Sequence, residues 1–203
     1  MIYITLVERN FYGLFNGEEM SHFSKISELQ DLVADLAGFE QKLKQFEGHL
    51  GLHFEQYSAD HISLRCNESK IADRWRKGFL QCGQLISESI INGRPICLFD
   101  LNQPIVLLDW KIDCVELPYP SQKHYVHQGW EHVELVLSVP PEQLICEAKK
   151  LLPQPLPDNF RMKESHPKGK SERLPNPTLA VTDGEITIKY HPFCIKEIVK
   201  SEV

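Results

Sequence analysis

Two stretches of this chain open in the same way. Residues 60–66 read DHISLRC and residues 131–137 read EHVELVL: an acid, a histidine, then an alternation of apolar and polar residues. A period of two is the signature of a strand. It puts His61 on one face with Ser63 and Arg65, opposite Ile62, Leu64 and Cys66, and it puts His132 on one face with Glu134. A chain that begins two strands this way is constrained toward two equivalent modules, and the order of elements after each opening agrees.

After the first opening, residues 68–81 have a helical stripe of Ile71, Trp75, Phe79 and Leu80. Strands are expected at Leu85–Ile91, at Pro95–Leu101 and in a run ending in Trp110–Leu117, with Asn92-Gly93 as a two-residue hairpin turn. Pro118 and Pro120 stop the last of these. After the second opening, the strand Val133–Val139 leads to a helix begun by Pro140 and Pro141, with a stripe of Leu144, Ile145, Ala148, Leu151 and Leu152. A weak strand at Phe160–Ser165 and a hairpin of Thr178–Thr182 with Ile186–Tyr190 complete it. Each half reads strand, helix, strand, strand, strand.

Residues 25–50 precede both halves and are helical. Ile26, Leu29, Leu32, Val33 and Leu36 form one stripe, and Phe39, Leu43, Phe46 and Leu50 a second, with Gly38 expected to divide them. Ser27 and Gln30 have the spacing of a capping box, and Gly51 is placed to end the helix in a left-handed conformation. The predicted class is α+β. Helices over 20–56 pack on a domain of residues 57–203, whose modules 57–120 and 128–203 form a curved, barrel-like mixed sheet. Residues 1–19 lack the basic start, apolar core and cleavage site of a signal peptide. With Gly17-Glu18-Glu19 just before Met20, they are expected to be an upstream extension, and Met20 the true start.

Composition excludes some partners. A net charge of −6 gives no global attraction to nucleic acid or to an anionic membrane. No run approaches the ~18 apolar residues of a membrane span. The six cysteines form no CxxC pair, which fits reduced thiols in a cytoplasmic protein.

The candidate chemistry lies on the strand faces. If each module curls into half a barrel, the inner faces of its first and last strands meet. His61 and His132 then face Glu116 and His191, with Glu197 just beyond as a rival for the fourth place. Imidazole and carboxylate are ligands for a borderline divalent ion such as Zn, Ni, Co, Mn or Fe. Glu134, on the face of His132, is the candidate general base. Arg173, in the basic loop 166–177 with Lys168 and Lys170, is a candidate fork for an anionic group of a small-molecule substrate, and Arg94 is a second.

The motifs SHFSKISELQDL, YSADHISLRC, DRWRKGF, INGRPICLF, VELPYP, GWEHVELVL, ERLPNPTLAVTDG and IKYHPFCIKEIV together resemble the YecM family, from about Met20 to the end. The resemblance implies the vicinal-oxygen-chelate fold of glyoxalase I, methylmalonyl-CoA epimerase and the extradiol dioxygenases. In such enzymes the first and last strands of each module hold a divalent ion that chelates substrate oxygens. His61, Glu116 and His132 match that layout, and the fourth position falls to His191 or Glu197. The implied function is that of a metal-dependent enzyme of isomerase, lyase or dioxygenase type, as a single-chain barrel or a homodimer. The alternative is a non-catalytic small-ligand-binding module of the same fold.

Overall fold

The computed structural model describes residues 22–166 and 173–201. The expected extension over 1–19, together with Lys168 and Lys170, lies outside the described residues. Two short 3₁₀ turns, His22–Lys25 and Ser27–Leu29, lead into helix α1, Gln30–Leu50. The first module is β1 (Ser58–Arg65), α2 (Ser69–Cys82), β2 (Gly83–Ile91), β3 (Arg94–Leu107) and β4 (Trp110–Pro118). The second is β5 (Gly129–Val136), α3 (Leu144–Lys150, after a 3₁₀ turn at Pro141–Gln143), β6 (Arg161–Ser165), β7 (Thr178–Thr182) and β8 (Thr187–His191). A last helix, α4, spans Ile195–Lys200.

All eight strands join one mixed sheet in the order β2-β3-β4-β1-β5-β8-β7-β6. The order is a palindrome of modules: in each, the first strand lies parallel to the last, β1 beside β4 and β5 beside β8. The modules meet through the antiparallel pair β1–β5, with Ile62 opposite Val133. The sheet is open, with β2 and β6 as its edges, so the expected mixed sheet is present without closing into a barrel.

One face of the central strands is apolar. Ile62, Leu64, Val115, Leu117, Val133, Leu135, Ile188 and Tyr190 are buried there in a single core with α1 and α2 residues. The alternate residues of β1 and β5 are polar yet mostly buried, and α4 packs against this layer through the Ile195 N–H on Asp60. Alternation in β1 and β5 therefore separates an apolar core from a buried polar layer, not from water.

Three local expectations are corrected. Residues 30–50 form one helix that runs through Gly38. An interior glycine costs about 1 kcal/mol, which burial of Leu32, Phe39, Leu43, Phe46 and Leu50 on one stripe offsets. Ser27 forms no capping box. Its hydroxyl bonds Glu28, and the Gln30 amide donates to the Ser24 and Ile26 carbonyls. The last strand, expected over Ile186–Tyr190, is Thr187–His191, so His191 belongs to its ladder. Gly51 does end α1 in a left-handed conformation, and Asn92-Gly93 turns the β2–β3 hairpin with positive φ at both residues. Four cysteines, Cys66, Cys82, Cys97 and Cys114, are buried and free. Among the described residues, no helix is long and apolar enough to cross a membrane.

The start of β5 is fixed by α1. The Asp35 carboxylate accepts the Trp130 backbone N–H at 3.0 Å, and the Trp130 indole N–H donates to the Leu32 carbonyl at 2.9 Å. Gly129 makes this approach possible. Its φ is +140°, and a Cβ on it would fall on the Asp35 carboxylate. Gly129→Ala is therefore expected to destabilise the protein by about 2 kcal/mol or more in denaturant titration. Unchanged stability would contradict this account of how β5 is set.

Candidate metal centre

The β1–β5 ladder has two irregularities. Ala59 pairs with Leu135 and His61 with Glu134, so Asp60 is an extra residue on β1. Ser63 pairs with His132 and Leu64 with Trp130, so Glu131 is an extra residue on β5. Each acid is thus the additional residue of a β-bulge, and a bulge re-aims a side chain that strict alternation would send to the other face. Both acids come to lie beside the histidine that follows them.

The consequence is a matched pair of oriented imidazoles. His61 Nδ1 hydrogen-bonds the Asp60 carboxylate at 2.8 Å, and its Nε2 is buried without a hydrogen bond. His132 Nδ1 bonds the Glu131 carboxylate, and its Nε2 accepts a hydrogen bond from Lys189 Nζ at 2.8 Å. The same Nε2 also lies 3.1 Å from Glu134 Oε1, so it faces an ammonium and a carboxylate at once. Both Nε2 atoms turn toward the Glu134 carboxylate, at 3.4 Å from His61 and 3.1 Å from His132. The two rings, expected from sequence to share a compartment, have centroids 6.5 Å apart.

Around this axis the ladder adds further groups. Glu116 faces Ser63 across β4–β1 and accepts its hydroxyl at 2.6 Å; its Oε1 lies 3.8 Å from His132 Nε2. Lys189 faces Glu134 across β8–β5 and donates to it at 2.6 Å. Glu131 also meets Arg65 at 3.0 Å and the Thr187 hydroxyl at 3.0 Å. His191 is fully buried with neither ring nitrogen hydrogen-bonded, 3.3 Å from Asp60 and 5.7 Å between centroids from His61. Among the described residues, two groups have the spacing to hold a metal ion: His61, His132 and Glu134, and Asp60, His61 and His191. A tetrahedral ion with ligands at about 2.0–2.2 Å separates its donor atoms by about 3.3 Å, close to the 3.4 and 3.1 Å that separate Glu134 from the two Nε2 atoms in the first group.

The charge in this layer is unbalanced. Arg65 pairs with Glu131 and Lys189 with Glu134, which leaves the Asp60 and Glu116 carboxylates facing the imidazoles of His61 and His132. Burial pushes His61 down, but the Glu134 and Asp60 carboxylates outweigh it and bring its pKa up to about 10. Burial likewise opposes ionisation of Glu134 and Glu116. Lys189 and the histidines prevail and hold both carboxyls below their ordinary range. His191, by contrast, is pushed down by burial.

The remaining candidates lie apart from this axis. Glu197 does not reach the cluster: its carboxylate accepts the Cys194 backbone N–H at 3.1 Å and caps α4. Arg173 is exposed, and its backbone N–H donates to Ser201 at the far end of that helix. Arg94 is half-buried and donates to the Tyr119 carbonyl at 3.2 Å. A cavity of about 30 Å³ lies between α4 and the β2–β3 hairpin, lined by Ser87, Ser89, Leu98, Ile195, Ile198 and by Glu116, which joins it to the cluster. Sequence patterning alone assigns no role to Asp60, Glu131 or Lys189. The repeated acid before each histidine is the signal for two of them.

Asp60 ties several parts together, since its carboxylate also accepts the Ile195 N–H at 2.9 Å. Asp60→Ala strands that N–H and the His61 ring. The expected loss is about 2–4 kcal/mol, with faster hydrogen exchange at the Ile195 amide. Undiminished protection of that amide would refute the tie.

Comparison with known proteins gives consistent relatives. Residues 28–202 match the family model described as YecM protein. The chain is 52% identical over 186 residues to Protein YecM of Escherichia coli (strain K12), covering 90% of this chain and 98% of that one. It is 36% identical over 179 residues to an uncharacterized protein of Haemophilus influenzae, covering 85% and 94%. A solved structural-genomics structure, Protein EC4020, superposes with a TM-score of 0.85 at 48% identity, covering 92% of this chain and all of that one.

Proposed function

The chain belongs to the YecM family, and from that premise we propose that its buried cluster is a divalent-metal centre on a vicinal-oxygen-chelate scaffold. It serves a metal-dependent enzyme of isomerase, lyase or dioxygenase type acting on a small oxygenated substrate. One observation carries this reading. Two histidines from equivalent strands present Nε2 to a shared carboxylate while a bulged acid holds each Nδ1. Carboxylate–histidine pairs of this kind orient metal ligands and raise their basicity. The palindromic strand order supports the scaffold.

His61, His132 and Glu134 would hold the ion, and the buried, unbonded Nε2 of His61 is a donor that fits it. A bound divalent ion supplies Lewis acidity toward a carbonyl or hydroxyl oxygen. The distances favour exchanging the roles that strand patterning suggests for the two glutamates. Glu134 sits among the ligands. Glu116, half-buried and bonded to Ser63, lines the cavity and is placed to hold or move a proton there. The second reading, a metal-free ligand-binding module, is favoured by Lys189, whose ammonium already satisfies His132 and Glu134.

Elemental mass spectrometry decides between them. After incubation with Zn, Ni, Co, Mn and Fe ions in turn, the protein is expected to retain one equivalent of at least one metal. His61→Ala and His132→Ala should abolish retention, and Glu131→Gln should weaken affinity by about 10- to 100-fold. A protein that cannot be loaded with any of these ions leaves the binding-module reading standing and removes the metal centre.

A further inference from the structure

The internal symmetry assigns a function to Lys189. The two-fold relation passes through the Ile62–Val133 pair and exchanges His61 with His132 and Ser63 with Glu134, because His61 faces Glu134 and Ser63 faces His132. On the flanking strands, Ser63 faces Glu116 and Glu134 faces Lys189. Lys189 is therefore the counterpart of Glu116. By this symmetry the position on β8 equivalent to Glu116 holds an ammonium, and His191, which the resemblance offers for the fourth place, lies one further step along that face.

The ammonium engages the atoms a metal would use. Lys189 Nζ lies 2.6 Å from Glu134 Oε1 and 2.8 Å from His132 Nε2, two of the three donors of the better-spaced group. It donates protons to the lone pairs that a metal would accept, so both cations cannot occupy those atoms at once. The side chain keeps 23% of its surface exposed, so a path toward solvent is open to the ammonium if its two partners are taken.

We propose that Lys189 is a tethered cation that competes with a divalent ion for His132 and Glu134. It neutralises the buried carboxylate in the metal-free protein and sets the threshold of ion concentration at which the centre fills. The inference rests on the metal reading of the cluster, and it adds a regulatory part that the scaffold alone does not supply. Displacing the lysine breaks two charge-assisted hydrogen bonds, so its removal raises affinity for the ion.

Isothermal titration of metal-stripped, full-length protein with Zn²⁺ tests this. Lys189→Gln is expected to bind Zn²⁺ about tenfold or more tighter than the natural chain. Lys189→Glu, which restores symmetry with Glu116, should bind tighter still. Lys189→Met keeps the apolar stem and replaces the Gln variant if circular dichroism shows that variant to be unfolded. Binding by the natural chain with equal or weaker binding by the neutral variant overturns the tethered cation alone. Absence of Zn²⁺ binding by all the proteins overturns it together with the metal centre.

Discussion

Everything distinctive in this structure depends on two extra residues in one ladder. Without the bulges at Asp60 and Glu131, strict alternation would turn both acids toward the apolar core, and both imidazoles would lose the partner that orients them. With the bulges, each carboxylate reaches the histidine beside it. A buried ionised group is tolerated only when paired and hydrogen-bonded, and here the pairing is built into the path of the backbone. The same Asp60 carboxylate also receives the first N–H of α4, so the cover of the polar layer and the aim of His61 share one anchor.

Duplication explains why the layer sits where it does. The strands that open the modules are neighbours at the centre of the sheet, flanked by the strands that close them. Four central strands therefore contribute one polar face, and residues far apart in sequence become ladder neighbours. Symmetry is kept in the histidines and in the acids before them. It is broken at Ser63 against Glu134 and at Glu116 against Lys189. Those differences give the layer its character, since a symmetric arrangement would hold two serines and two glutamates.

Much of this is legible in the chain. The alternation after His61 and His132 marks the strands, proline and glycine mark their ends, and the repeated element order marks the modules. What escapes the sequence does so for physical causes. A bulge leaves no trace in a period-two pattern, so Asp60 and Glu131 stand out as a repetition without a reason. Gly38 signals a break only where tertiary burial is weak, and the apolar stripe of α1 is strong enough to carry the helix through it. Glu197 cannot be separated from the cluster without knowing that α4 begins after Cys194 and uses that carboxylate as its cap. Lys189 is visibly on the face of His191, but only the β5–β8 register shows that it confronts Glu134.

The central claim is that the two imidazoles face one cation through their Nε2 atoms, with the bulged acids behind them. Anomalous diffraction from crystals soaked in Zn²⁺ or Mn²⁺ tests it most directly. The expected result is a single strong peak about 2.0–2.2 Å from Nε2 of His61, Nε2 of His132 and a Glu134 oxygen, with Lys189 turned away. A peak elsewhere, or rings that offer Nδ1 to the ion, would contradict the account.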